Sequence, residues 1–161
     1  APILLIGEAP GRLGAARTGV PLHGDRTGQY VEHLLAIASI PPGVVHRTNA
    51  VLCHPADERG RNRRPRAGEV ARCARWLAWR LHVVDPLIVV VLGTVPLAAL
   101  ERIAPHGLRL AEAVGWPTRW EGRWLLPLYH PSPRTMARRS LRQQEDDWRV
   151  LGELWSMVAG A

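Results

Sequence analysis

The chain has no lysine, no phenylalanine and only two cysteines. Without a lysine amine there is no Schiff-base nucleophile and no Walker-type phosphate loop, since both are built on that amine. Two cysteines are too few for a disulfide scaffold. No apolar run reaches the ~18 residues that a membrane-spanning helix needs. The longest candidate, Leu87 to Leu100, is broken by Gly93 and Pro96. Acids are also scarce: 14 Asp and Glu stand against 21 basic residues, all arginine, for a net charge of +7. A GC-rich genome would account for the arginine count, but not for the excess of base over acid. A small, strongly basic domain points to a polyanionic partner, most simply nucleic acid.

What is present is enough for one folded domain. The 161 residues are 47% hydrophobic and 22% charged, which excludes a disordered or fibrous chain and allows a real core. Pro2 to Ile6, Val44 to Leu52, Leu87 to Leu92 and Trp124 to Tyr129 read as strands. Gln29 to Ser39, Ala67 to Val83, Val95 to Ile103 and Leu141 to Val158 read as helices. Gly7 to Gly28, with six glycines in 22 residues, reads as a long loop, and Cys53 to Arg66 as an arginine-rich surface loop. Strand, loop and helix recur with no sequence repeat, so the predicted fold is a three-layer α/β/α sandwich around a four-stranded parallel sheet. Ligands in such sheets bind beyond the carboxyl ends of the strands.

Four strand ends carry the chemistry, that of the third strand being Gly93-Thr94. Gly7-Glu-Ala-Pro-Gly11 can point backbone N–H groups into one cavity, although glycines alone more often make an ordinary turn. Glu8 and Asp25 add carboxylates able to hold a water or offset a cationic transition state; either alone is more often a surface or capping residue. Asn49 sits late in the second strand, where a side-chain amide reads a base edge or caps a loop. His130 precedes Pro131-Ser-Pro133 at the fourth strand end and is followed by Arg134, Arg138 and Arg139. A stiff loop with cations beside a donor suits gripping a DNA backbone while entering the base stack. His23 ranks second among the seven histidines.

In this order the segments resemble the uracil-DNA glycosylase superfamily, and its iron–sulfur branches in particular, over nearly the whole chain. The resemblance is carried by Gly7 to Gly11, Arg17 to Asp25, Thr48 to Cys53, Asn62 to Cys73, Leu92-Gly93 and Tyr129 to Ser132. Gly-Glu-Ala-Pro-Gly is similar to the branch numbered four, and Gly24-Asp-Arg-Thr-Gly28 to the branch numbered five, in which an acid at the place of Asp25 is a proposed catalytic group. The resemblance implies a monofunctional DNA glycosylase that flips uracil, or another deaminated base, and hydrolyses its N-glycosidic bond in base excision repair. Backbone groups of Gly7, Glu8 and Ala9 would bind the base, with Leu22 against it and Asn49 on its Watson–Crick edge. His130 would donate to the O2 oxygen, and Asp25 or Glu8 would hold the water. Arg63, Arg64, Ser132, Arg134, Arg138 and Arg139 would contact DNA. Cys53 and Cys73 match two of the four thiolates of a 4Fe-4S cluster, which the resemblance implies; the other two lie upstream or are lost with the cluster.

The sequence departs from the family pattern at Leu22, where phenylalanine is usual, and has no histidine between Arg59 and Arg66, so covalent capture of product is not expected. The rival reading is a nucleic-acid-binding module of the same fold with weak catalysis. A nucleotide-binding or methyl-transfer domain is disfavoured, because G-x-G-x-x-G spacing and an acid ending the second strand are both missing. No leader is visible before the first strand, so the expected setting is the cell interior, as a monomer acting on DNA and not on membranes.

Overall fold

The computed structural model describes residues 1–160. Five strands form one sheet: β1 (Ile3–Gly7), β2 (Val45–Asn49), β3 (Ile88–Leu92), β4 (Thr118–Trp120) and β5 (Arg123–Leu128), in the order β2-β1-β3-β5-β4. The first four in that order are parallel, and β4 runs antiparallel along the β5 edge. The sheet is therefore mixed and five-stranded, which corrects the expected four parallel strands. The extra strand is one arm of a hairpin. Glu121 and Gly122 both take positive φ (47° and 76°), the backbone twist a two-residue hairpin turn needs.

Burial explains the rest. Every residue of β1 and β3 is buried, as expected of strands covered on both faces. Ile3, Leu5, Val90, Leu126 and Leu128 face one side. There they pack on α2 (Arg26–Ile37) and α6 (Leu141–Ala159). Leu4, Ile6, Val89, Val91 and Leu125 face the other side and pack on α3 (Ala67–Val84) and α4 (Thr94–Ile103). The helix–sheet–helix layering follows from this period of two.

Pro127 sits inside β5, where a missing N–H would ordinarily break a ladder. Its carbonyl accepts from Gly115 N (3.0 Å), beyond the end of β4, so its ring nitrogen faces a side from which β4 has withdrawn. Two four-residue helices, α1 (Ala15–Thr18) and α5 (Leu110–Ala113), complete the elements of more than three residues. No helix among the described residues is long and apolar enough to cross a membrane.

Candidate active site

Because β1, β2, β3 and β5 are parallel, their carboxyl ends fall along one edge of the sheet. The turns leaving β1, β3 and β5 enclose a cavity of about 580 Å³ whose wall includes Glu8, Leu22, Asp25, Gly93, Tyr129 and His130. Residues more than a hundred positions apart thus meet at one rim.

Asn49 closes β2 level with Gly7 of β1. It is 4% exposed, and its Oδ1 has no hydrogen-bond partner among the described residues. A buried, unpaired carbonyl oxygen costs about 1–3 kcal/mol, which a ligand N–H would recover. Gly7 makes the close approach possible: a Cβ there would lie 2.5 Å from Asn49 Oδ1 and 2.8 Å from Leu22 Cδ2. Leu22 itself is buried and holds a left-handed backbone (φ 55°), uncommon for a leucine. Gly7, Leu22 and the Asn49 amide thus lie together, and of the three Leu22 lines the cavity.

Two carboxylates reach the cavity in different environments. Asp25 caps α2, its Oδ1 accepting from Gly28 N at 2.9 Å. Its Oδ2 faces the glycine turn before α1, where a side chain on Gly14 would collide with it. Burial raises the Glu8 pKa, and the nearby Arg64 and Arg134 guanidinium groups pull it back. Burial pushes the His130 pKa down to about 4, opposed by the Asp25 charge. At neutral pH the His130 ring is therefore neutral and has one N–H to donate.

The sequence-predicted DNA contacts fall into two groups. Arg64, Ser132, Arg134 and Arg138 line the cavity mouth. Arg64 also donates to Thr94 Oγ1 (3.1 Å) at the start of α4. Arg63 lines the cavity too, but its guanidinium is engaged by both Glu69 oxygens (2.9 and 2.6 Å) and by the Ala56 carbonyl. That pair holds the Glu69 pKa down at about 2. Arg139 donates to both Asp147 oxygens, each at 2.6 Å, and lies over the Tyr129 ring. Ala9 belongs to the cavity wall.

Sequence reasoning assigned no role to Asn62 or Tyr129, which stand in the wall, as does Thr94 of the third strand end. Asn62 Oδ1 accepts from Arg12 N (2.9 Å) and meets His54 Nε2 (2.7 Å), tying the arginine loop to the glycine turn fifty positions away. Its one signal was a lone amide inside a run of arginines. Cys53 is exposed, and Cys73 packs against the apolar cluster beneath α3. Among the described residues no group of three or more His, Cys, Asp or Glu is placed to hold a metal ion.

The family model of the uracil DNA glycosylase superfamily matches residues 1–154. A type-5 uracil-DNA glycosylase of Thermus thermophilus is 34% identical over 150 residues, 82% of this chain and 65% of that protein. A type-4 uracil-DNA glycosylase of Thermotoga maritima is 30% identical over 131 residues, 81% of this chain and 64% of that protein. One of Archaeoglobus fulgidus, also type 4, is 28% identical over 96% of this chain and 77% of its own length. The chain thus spans just under two thirds of the length of the Thermotoga and Thermus relatives. With the match running through every strand and through all the turns that wall the cavity, the chain belongs to the uracil DNA glycosylase superfamily.

Proposed function

We propose that the protein is a monofunctional uracil-DNA glycosylase, which hydrolyses the N-glycosidic bond of a flipped uracil in DNA. The observation that carries this is the convergence of a neutral His130 and the Asp25 and Glu8 carboxylates on a single cavity, with the unpaired Asn49 oxygen held against Gly7, the residue before Glu8 of its wall. Uracil N3–H would satisfy Asn49 Oδ1. Leu22 would give apolar contact to the base. The backbone of Gly7 to Ala9 would border it.

As the bond breaks, electrons collect on the base and positive charge on the sugar. His130 donates its N–H to the developing O2 anion without passing a proton, a role that suits an imidazole of depressed pKa. An aimed donor of this kind is worth about 3–4 kcal/mol. Asp25 is the better of the two carboxylates to hold the attacking water and face the sugar cation: its helix cap fixes it, and it is the carboxylate whose field reaches His130. Glu8 lies between Arg64 and Arg134 and offsets their charge before phosphate arrives. Arg64, Ser132, Arg134 and Arg138 then grip the backbone on either side of the flipped nucleotide. The 161 residues contain no lysine, so none of their side chains supplies an amine to add to the sugar.

An iron–sulfur cluster does not fit the residues present. It takes four thiolates, the chain has two, and no metal-holding group accompanies them among the described residues. No step depends on it.

The test is single-turnover abasic-site formation on oligonucleotides holding uracil, hypoxanthine or xanthine. Uracil excision is expected, and His130→Ala should slow it at least ~100-fold. Tight, selective binding of uracil DNA with no excision would replace the enzyme by a binding module of the same fold.

A further inference from the structure

Few polar side chains in this protein are fully buried, and two of them lie on one face of α6. Gln144 is 1% exposed and Asp147 is 7% exposed. Neither touches the cavity. Both reach the segment after β5 that starts at His130 and carries Ser132, Arg134 and Arg138. Asp147 takes Arg139 Nε on one oxygen and Nη2 on the other, in the fork geometry that fixes a guanidinium plane. That plane is laid over the ring of Tyr129, the residue before His130. Gln144 Nε2 donates to the Arg139 carbonyl at 3.0 Å and lies 3.5 Å from Met136 Sδ. Within the segment, Ser132 N bonds the His130 carbonyl and Thr135 N the Ser132 carbonyl, while Arg138 N and Arg139 N both bond the Thr135 carbonyl. The segment is a chain of short turns, anchored to the core at its far end by Gln144 and Asp147.

We propose that Asp147, assisted by Gln144, is a positioning residue that locks Arg139 across Tyr129 and so fixes where His130 and the backbone-gripping turn stand. This rests on the glycosylase reading, and it assigns Arg139 to the clamp instead of to phosphate. A rigid turn matters because a donor displaced by about 1 Å loses on the order of a hundredfold in rate. Gln144 Oε1 and Trp148 Nε1, an acceptor and a donor one helical turn apart on α6, have no hydrogen-bond partner among the described residues.

The test compares Asp147→Asn, Arg139→Gln, the double variant and Gln144→Leu. Amide hydrogen exchange over residues 132–139 is read first, because it needs no activity. Each variant should speed exchange there. At saturating uracil duplex, Asp147→Asn and Arg139→Gln should each slow single-turnover excision at least about tenfold, with the salt slope of DNA binding unchanged. The double variant should be no slower than the worse single one, as expected of one shared interaction. The clamp is overturned if Arg139→Gln weakens DNA binding and lowers the salt slope by about one, which marks a phosphate contact. Native exchange and native rate in a folded Asp147→Asn also overturn it. Should Asp147→Asn fail to fold, Arg139→Gln and Gln144→Leu decide by the same two readouts. An unmodified protein without excision refutes the glycosylase reading alone, and the exchange data still judge the clamp.

Discussion

His130 shows how one side chain couples burial to chemistry. An unfolded imidazole titrates near 6.5, whereas the folded one is held near 4 because its charged form would lose hydration. As pH falls, the unfolded chain takes up this proton first. The stability that a neutral His130 contributes is complete above pH 6.5 and is lost between there and about 4, by roughly 3 kcal/mol. The activity consequence has the same sign. Excision should persist through the range where an ordinary histidine would already be charged, since the donor stays neutral. Glu8 complicates the profile, because its own raised pKa can add a higher acid limb. In Glu8→Gln that limb cannot exist, so single-turnover rates of this variant should fall only near pH 4. A limb near 6.5 in Glu8→Gln would show that His130 is hydrated and that burial does not set its state.

At the scale of elements, contact between α2 and α6 rests on a glycine. A Cβ on Gly152 would collide with the Ala38 carbonyl at the end of α2, so the helices cannot approach this closely with any side chain there. Gly152→Ala should therefore lower unfolding free energy by about 1–3 kcal/mol in urea, with single-turnover excision well below the melting range unchanged, since Gly152 is not part of the cavity wall. How legible the elements were depends on length. The runs Ile3 to Ile6 and Ile88 to Leu92 are buried on both faces, so their unbroken apolar character was a strong signal. β4 has three residues, too few for any period to show, and only its Glu121-Gly122 turn betrays a hairpin. Asp25 caps α2 and begins that helix at Arg26, earlier than apolar spacing alone indicated, because the first turn, Arg-Thr-Gly-Gln, has no apolar residue to mark it. The strand-end rule brought Glu8, Asn49 and His130 to one edge from sequence. It was silent on which arginines are free, since Arg63 and Arg139 are committed by carboxylates on neighbouring helices, a tertiary fact.

At the scale of the whole molecule, the net charge of +7 is not evenly available. Arg47, Arg61, Arg63, Arg109, Arg123, Arg139 and Arg149 each lie in an ion pair, with Glu32, Asp57, Glu69, Glu112, Asp85, Asp147 and Asp146 respectively. Pairing thus ties up these seven cations, while Arg64, Arg134 and Arg138, the three expected to reach phosphate, line the cavity together with Arg26. Their counterions are the ones a phosphate backbone would release. If these three make the phosphate contacts, the logarithm of the duplex binding constant should fall against the logarithm of salt with a slope of about −3, at about 0.9 per contact. Arg64→Gln or Arg138→Gln should each flatten that slope by about one. Arg149→Gln, which removes the same charge from a paired site on α6 away from the cavity, should leave it in place. Equal flattening by all three would mean that DNA responds to total charge, and that the arrangement of arginines around the cavity carries no part of recognition.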